Sequence, residues 1–403
     1  MATIIILVIA IAGIVTYIVW PKGSRADVIL WMQVLPDEED FIRSYVNSSF
    51  NQLYPKITVQ IVNVADLKTR LLAALPAGKG PDLFMFAHDW TGTFALPGYL
   101  QPLTNMTTPD LLSKYLDVAL DACTFNNTLY ALPYASETVA LLYNKNMVPT
   151  PPTNMRQLKT MMQTFFNQGK FGIAYPVDPY YVSCWPHGFG GYYFNDTTLT
   201  PGLNDSKTVQ GIYYFLETFQ PYMSQGDTGR DAQVALFTSN QAPFMVDGPW
   251  GIGYYKSLNM SFGITKMPYI DEASHWPEPY TGIKVMWMTT TAFDKEKAFT
   301  FMKWFSTNTT FIKARALQLG FIPVLKSLLN DPEIQADNIV STYAAQVALG
   351  TPMPKSIEMA YVWTPITSAI NELFLLYPNF GVNTPEVVLS EAQAQVLTSL
   401  AGQ

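Results

Sequence analysis

The chain has 403 residues, a formal net charge of −7 at pH 7 and only 14 % charged residues. This length favours two lobes, because a single hydrophobic core rarely grows so large. The acidic balance and the lack of any run of Lys or Arg argue against nucleic acid as a partner. With only Cys123 and Cys184, the sequence excludes a disulfide framework and a cysteine-metal site, although one bridge is possible if the fold brings the two together.

The first twenty residues are apolar and indicate a membrane segment. Residues 2–20 carry no charge, and about nineteen residues reach roughly 28 Å as a helix, enough to cross a bilayer core. The small-residue cleavage pattern of a signal peptide is missing, and no Cys follows to take a lipid. We expect a transmembrane anchor at 1–20 and a linker at 21–26. Lys22 and Arg25 would favour a cytoplasmic body, but two charges are a weak bias on a large domain.

Glycosylation sequons oppose a cytoplasmic body. The chain has seven of them, whereas its Asn, Ser and Thr content predicts roughly three by chance. The excess indicates a glycosylated body on the extracellular side of the cell membrane, and the alternative interpretation is a set of Asn-rich turns. The predicted acceptors are Asn47, Asn105, Asn126, Asn195, Asn204, Asn259 and Asn308.

Beyond the linker, the hydrophobic pattern alternates between the periods of strands and of helices. Such alternation is typical of an α/β protein. The predicted elements are a strand at 27–32, a helix at 38–53, a strand at 57–64, a helix at 65–75, a strand at 83–87 and a helix at 111–120.

The middle of the chain contains a long extended apolar run at 128–145. Such a run can pass from one lobe to the other, and the proline-rich segment 149–152 breaks the chain after it. The later predicted elements are helices at 155–167, 209–220 and 231–240, a strand at 281–290, a helix at 294–307, a crossing at 320–324 and a mostly helical tail from 325.

These elements predict two α/β lobes that enclose one cleft. We expect the chain to cross between the lobes near 136–139, 280–283 and 320–324. The first lobe is then expected to contain 27–136 and 281–322, and the second lobe 137–280 and 323–403.

The segment 78–92 carries the clearest functional signal. Its strand at 83–87 ends just before Asp89 and Trp90, at the carboxyl end of a strand, where open α/β sheets bind small molecules. A carboxylate accepts hydrogen bonds from hydroxyl groups and an aromatic face covers the apolar side of a sugar ring, so this pair indicates carbohydrate. An isolated Asp here can also simply cap the next helix. Glu137, in an apolar run, requires a ligand or a cation as its partner.

Four segments in order resemble the maltose/maltodextrin-binding proteins of ABC importers, within family 1 of the extracellular solute-binding proteins. The resemblance implies a two-lobed periplasmic-binding-protein-like fold of type II that closes by hinge bending. It also implies a non-enzymatic receptor without cofactor, which captures a maltodextrin-like oligosaccharide and delivers it to ABC permease subunits. The segments are 80–92, 131–145 with 151–153, 177–192, and 244–250.

The resemblance further implies roles for individual side chains. Three acids match residues that bind sugar hydroxyl groups, and several aromatic residues match stacking platforms, although a Trp in an apolar stretch such as Trp287 can equally be a core residue. Trp90 stands where the maltodextrin group has a basic residue, and Phe86 where it has an indole. The predicted ligand-binding residues are Asp89, Trp90, Glu137, Asp178, Tyr180, Trp250, Trp287 and Trp363.

Enzyme signatures such as G-x-S-x-G, H-E-x-x-H and a Walker sequence are missing from the chain. The alternative function is a glycoside hydrolase that uses two carboxylates from among Asp89, Glu137 and Asp178 in an aromatic cleft. A third possibility is a structural cell-surface protein that binds no ligand. The histidines have no metal-ligand spacing and are expected to be structural: His88, His187 and His275.

Overall fold

A computed structural model describes residues 25–402 of the chain. The membrane anchor expected at 1–20 and the first part of the linker lie outside this range. Between residues 25 and 402, none of the helices combines the length and the apolar character that crossing a bilayer requires.

A six-stranded sheet forms the centre of the first lobe. Three of its strands, at 28–32, 59–63 and 83–87, run parallel to one another, and their inward residues are large and apolar, as buried parallel strands require. The order from one edge is Thr351–Pro352, Tyr280–Met288, Leu83–Ala87, Val28–Met32 and Val59–Asn63, with Ala131–Glu137 paired to Tyr280–Met288 as well.

A three-stranded antiparallel sheet forms the centre of the second lobe. Ala140–Asn144 lies between Phe244–Asp247 and Phe262–Thr265. Only Thr138 and Val139 separate Ala140–Asn144 from the last strand residue of the first sheet. The two lobes are therefore joined at this point by a very short connection.

The chain segments that connect the lobes lie side by side. The Thr138 hydroxyl donates to the carbonyl of Tyr280 (2.9 Å), where the chain returns to the first sheet. The Ser136 amide donates to the carbonyl of Ile322 (2.8 Å) in a third connecting segment. These bonds hold the connections together, so the lobes share one narrow junction.

Helices fill out both lobes, and several begin at side-chain caps that the sequence provides. Asn154 and Asp294 each accept a hydrogen bond from a backbone amide in the first turn of the helix that follows. The longer helices are Pro36–Tyr45, Leu67–Ala74, Met155–Phe166, Ser206–Phe219, Arg230–Thr238, Lys295–Thr307, Thr309–Leu319, Asn338–Val347, Trp363–Leu376 and Pro385–Ala401.

Two helices differ from the expectation. The predicted helix at 38–53 begins at Pro36 and reaches Leu53 only through a π-helical turn, Val46–Phe50. The predicted helix at 111–120 is two short helices, Pro109–Ser113 and Asp117–Ala122. The break between them contains Tyr115, which is fully buried and bonds the Ser306 hydroxyl at 2.7 Å.

The apolar cores show where the tail of the chain packs. Buried residues from Val324 to Val340 belong to the core of the first lobe, although the sequence expectation assigned all of 323–403 to the second lobe. The Leu116 amide bonds the carbonyl of Val324 at 3.0 Å and holds this segment in place. Only beyond it do Trp363–Leu376 and Pro385–Ala401 pack in the second core.

The structure shows the positions of the two cysteines and the seven sequon residues. Cys123 is buried in the first core and Cys184 in the second, and both are free. Asn195 and Asn308 are half-buried, and their side-chain oxygens accept backbone amides at 2.9 Å. Glycosylation stays a prediction, and the exposed acceptors are Asn47, Asn105, Asn126, Asn204 and Asn259.

Asp82 connects three segments of the first lobe through hydrogen bonds and an ion pair. Its side chain is fully buried and accepts the amides of Ile29 (2.7 Å) and Phe293 (2.6 Å). Arg25 contacts both carboxylate oxygens at 2.9 Å. The Asp of the Gly-Pro-Asp sequence is therefore structural, and it fixes the start of the strand that leads to Asp89.

We predict that Asp82→Ala lowers the free energy of unfolding by about 2 to 5 kcal/mol, because two amides lose their acceptor in the interior. Urea-induced unfolding followed by circular dichroism measures this loss. Glu391→Ala is the control, since Glu391 is exposed and makes no hydrogen bond or ion pair with residues 25–402. Equal unfolding midpoints for the two variants would contradict the structural role of Asp82.

Candidate functional site

A cleft of about 1080 Å³ lies between the two lobes. Residues from both lobes line it, and it contains all but one of the predicted ligand-binding side chains. The structure thus brings together residues that are far apart in the sequence, while their contact with a ligand stays a prediction. The members of this set that line the cleft are Asp89, Trp90, Glu137, Asp178, Tyr180, Trp250 and Trp363.

Trp287 is the exception. Its side chain is fully buried, stacks on Phe84 with ring centroids 4.9 Å apart, and donates its indole N–H to the Thr91 hydroxyl at 3.2 Å. Trp287 is therefore a core residue, which corrects the expectation that it stacks on a ligand.

Asp89 lies in a single turn, His88–Trp90, directly after the strand Leu83–Ala87. It is half-buried in the first-lobe wall of the cleft. Burial raises the pKa of Asp89 to about 6, while the positive charges of Lys68 and Lys284 oppose that rise. The Asp89 carboxylate is therefore poorly solvated, and its oxygens can accept hydrogen bonds.

A neighbouring cation pairs with the buried carboxylate of Glu137. The ammonium of Lys284 lies 3.2 Å from its carboxylate. Burial raises the pKa of Glu137, and the charge of Lys284 acts in the opposite direction. Of the two partners expected from the sequence, the neighbouring cation is therefore present.

Trp90 and Phe86 form a tight pair in the same wall. Their rings are nearly parallel, with centroids 4.0 Å apart. The Lys68 ammonium lies 5.5 Å from the Trp90 ring centroid, and the Lys284 ammonium lies 4.6 Å from that of Phe86. Trp90 is only 7 % exposed but lines the cleft, so its contact with a ligand stays a prediction.

The second-lobe wall is built on Asp247. This carboxylate is fully buried and accepts the Trp250 indole N–H (2.8 Å) and the Tyr181 hydroxyl (3.0 Å) on one oxygen. The Tyr255 hydroxyl (2.6 Å) and the Arg230 guanidinium (2.7 Å) bond the other oxygen. The indole of Trp250 is thereby held in one orientation at the cleft.

Tyr180 and Trp363 also line the cleft, and the buried Tyr280 lies behind them. The Tyr180 ring lies 6.0 Å from that of Trp250, and Tyr280 lies 6.4 Å from Tyr180 and 6.0 Å from Trp363. Asp178 accepts the Tyr180 amide at 2.8 Å and so caps the short helix that follows. Asp178 thus has the capping role that the sequence also allowed for Asp89, while it still lines the cleft.

Sequence reasoning missed four charged residues of the site: Lys68, Lys284, Arg230 and Asp247. Asp247 was detectable, because a carboxylate at the end of an apolar strand requires partners, as was argued for Glu137. Lys68, Lys284 and Arg230 carry no such signal in the sequence, since charged residues usually lie on solvated faces.

His88 has structural surroundings, while the structural role of His187 and His275 stays a prediction. His88 is buried between two segments: its Nδ1 accepts the Ile283 amide (3.1 Å) and its Nε2 contacts the carbonyl of Met353 (3.0 Å). Burial lowers the pKa of His88 to about 4. Across residues 25–402, no group of three His, Cys, Asp or Glu side chains is placed to hold a metal ion.

Aromatic and charged side chains thus line both walls of the cleft, and the open aromatic rings lie mainly on the second-lobe wall. Carboxylates accept hydrogen bonds and ammonium groups donate them, whereas aromatic faces cover apolar surface. This arrangement suits a ligand that has apolar faces and hydroxyl-bearing edges.

Sequence comparison shows similarity to known binding proteins. Residues 47–342 match the family of bacterial extracellular solute-binding proteins. The maltotriose-binding protein of Pyrococcus abyssi is 38 % identical over 379 residues, which cover 93 % of this chain and 83 % of that protein. The galactooligosaccharide-binding protein of Bacillus subtilis is 28 % identical over 309 residues, 73 % of this chain and 72 % of that protein.

Comparison with solved structures also shows similarity to a binding protein. The maltotriose binding protein of Thermus thermophilus, bound with maltotriose, has a TM-score of 0.83 and 25 % identity, covering 93 % of this chain and all of that chain. The two-lobed α/β fold and the resemblance to maltodextrin-binding proteins are therefore confirmed. These relatives are solute-binding proteins and not enzymes, so the glycoside hydrolase alternative loses its support.

We predict a pKa of about 6 for Asp89, measurable by carbon NMR titration of the carboxyl groups with Asp89→Asn to assign the signal. Lys68→Met removes a nearby positive charge, so it should raise this pKa further. Lys79→Met, at an exposed lysine outside the cleft, should leave the pKa unchanged. A pKa below 4, or the same value in both lysine variants, would contradict this description of the site.

Proposed function

This chain belongs to the family of bacterial extracellular solute-binding proteins, and we propose that it captures a neutral, maltodextrin-like oligosaccharide and delivers it to the permease of an ABC transporter. The observation that carries the proposal is the interlobe cleft, in which aromatic rings and carboxylates from both lobes face one another. Relatives named for binding maltotriose and galactooligosaccharide support the same ligand class.

Each wall would contact a different part of the sugar. Trp250, Tyr180 and Trp363 would cover the apolar faces of the sugar rings, because aromatic rings stack well on such surfaces. Asp89 and Glu137 would accept hydrogen bonds from hydroxyl groups at the ring edges. Asp178 would contact the ligand from the rim of the second lobe.

Ligand binding would also favour the closed arrangement of the lobes. The two walls belong to different lobes, so only a closed cleft lets both touch one ligand at the same time. The short connections at Thr138 and Ile322 would act as the hinge, and the permease would then recognise the closed form.

We predict that Trp250→Ala weakens maltotriose binding roughly tenfold or more, because a lost stacking contact and its buried area are worth on the order of 1 to 3 kcal/mol. Isothermal titration calorimetry at neutral pH measures the effect. Trp276→Ala is the matched control, since Trp276 lies outside the cleft and contacts Lys266 and Tyr269. Equal affinities of the two variants, or shorter sugars recovered after incubation, would contradict the proposal.

We further propose that residues 2–20 anchor the protein in the cell membrane, with its body outside the cell and beside the permease. About nineteen uncharged residues are long enough to span a bilayer, and five exposed sequons would suit an extracellular, glycosylated body.

Membrane association that resists carbonate extraction, and that is lost on deletion of residues 1–20, is the expected result. The deletion variant should bind sugar as the full chain does, because residues within 25–402 form the cleft. A mature protein whose N-terminus begins after Trp20 would show a cleaved signal peptide instead.

A further inference from the structure

The cleft lies at only one of the two edges where strands of the first-lobe sheet begin and end. Its three parallel strands begin together at the other edge, which we name the entry edge: Val28, Val59 and Leu83. Asp89 follows one of these strands at the cleft edge. The Arg25 guanidinium bonds Asp82, directly before Leu83, at 2.9 Å. The chain therefore enters the first lobe on the far side of the sheet from the cleft.

Large apolar side chains are exposed around the entry edge. Phe293 is 69 % exposed, although its amide is held by the Asp82 carboxylate at 2.6 Å. Leu96 is 62 % exposed, in a turn that accepts the Thr290 hydroxyl at 3.2 Å. Leu53, at the end of the helix before the strand Val59–Asn63, is 59 % exposed. Single exposed apolar residues are normal, but three around one edge indicate a contact surface.

The unpaired charges at the entry edge are mainly positive, although the whole chain has a net charge of −7. Lys56 and Lys79 are exposed, and among residues 25–402 their ammonium groups have no ion pair or hydrogen bond. Glu296 is an exposed acid without a partner in the same range. The other acids of this edge are paired with Arg25 or Lys297: Asp27, Asp82 and Asp294. An anionic surface would therefore meet little repulsion here.

The length of the linker restricts what can lie opposite this edge. The proposed anchor ends at residue 20, and the path from there to Arg25 is at most about 18 Å long, even when fully extended. The entry edge must therefore stay close to the bilayer whenever the anchor is inserted. A tethered surface meets its partner at an effective concentration in the millimolar range, so even a weak contact becomes populated.

We propose that the entry edge is a membrane-docking surface that binds anionic lipid headgroups. Phe293 and Leu96 enter the interfacial region of the bilayer, where apolar side chains leave water. Lys56 and Lys79 pair with lipid phosphate groups, because basic residues are attracted to an anionic membrane surface. This inference rests on the anchor at residues 2–20 that is part of the proposed function.

Docking at the entry edge sets the orientation of the body. Because Asp89 and the cleft lie at the opposite edge of the first-lobe sheet, the docked body keeps the cleft away from the bilayer and open to the medium. The body must leave this position when it delivers a ligand. A contact of two lysines and a few apolar side chains, weak without the tether, suits such a reversible role.

Fluorescence quenching on the full-length protein tests the inference. The protein is inserted into vesicles of phosphatidylcholine and phosphatidylglycerol that contain a lipid with a nitroxide on its headgroup. A fluorophore is attached to Phe293→Cys, and to Val382→Cys as the matched control, since Val382 is 87 % exposed in the second lobe. Cys123 and Cys184 are buried, so the introduced thiol is the one that reacts. We expect the nitroxide to quench the label at 293 and to leave the label at 382 bright.

The tether alone brings the label at 293 near the bilayer, so lysine variants separate docking from tethering. Lys56→Gln and Lys79→Gln should each lower the ratio of docked to undocked protein roughly fivefold, the usual contribution of one basic residue near an anionic membrane. High salt or vesicles of phosphatidylcholine alone should also lower it. Lys145→Gln, at an exposed lysine of the second lobe, is the control and should change nothing. Every variant should still bind maltotriose as the wild type does.

The outcomes separate this inference from the proposed function. If the full chain does not associate with the vesicles, the proposed anchor fails and the inference fails with it. If the chain is anchored but the lysine variants and salt leave the quenching at 293 unchanged, only the inference is overturned. Shielding of the label at 293 that depends on protein density and not on the nitroxide lipid would show a second copy at this edge, which also overturns it.

Discussion

The buried carboxylate of Asp247 is the constraint on which the second-lobe wall depends. A charge in the interior destabilises the fold strongly unless hydrogen-bond donors surround it, and here the donors come from four separate places in the chain: Tyr181, Arg230, Trp250 and Tyr255. Each donor is thereby fixed in position. Because Trp250 is one of them, the energetic requirement of a buried charge also orients an aromatic face towards the cleft.

The opposite wall links the site to the junction between the lobes. Glu137 is the last strand residue before the chain crosses to the second lobe, and it pairs in register with Gly282 on the returning strand. Lys284, its ion-pair partner, lies on that same returning strand. A ligand that bonds Glu137 would therefore act directly on two of the connecting segments. Ligand binding would thus be coupled directly to lobe closure.

The sequence predicted the parts of this arrangement that depend on local pattern. The strand at 83–87 was placed at its observed residues, because a Gly/Pro turn precedes a short apolar run. Trp287 was misplaced, since an apolar strand gives no sign of which of its residues reach the cleft and which stay in the core. Lys68 and Arg230 were not found, because a charged residue on a helix resembles solvated surface until tertiary packing brings it to an acid or an aromatic ring.

The first-lobe wall shows why matching residues by position alone describes this site incompletely. In the maltodextrin group that the sequence resembles, an indole stands at the position of Phe86 and a basic residue at that of Trp90. Here the indole, Trp90, comes four residues after Phe86, and the cations are Lys68 and Lys284, on other elements. The wall thus contains the same kinds of group from different positions. What the chemistry of sugar binding constrains is the set of donors, acceptors and rings that meet in the cleft, and several placements along the chain can satisfy it.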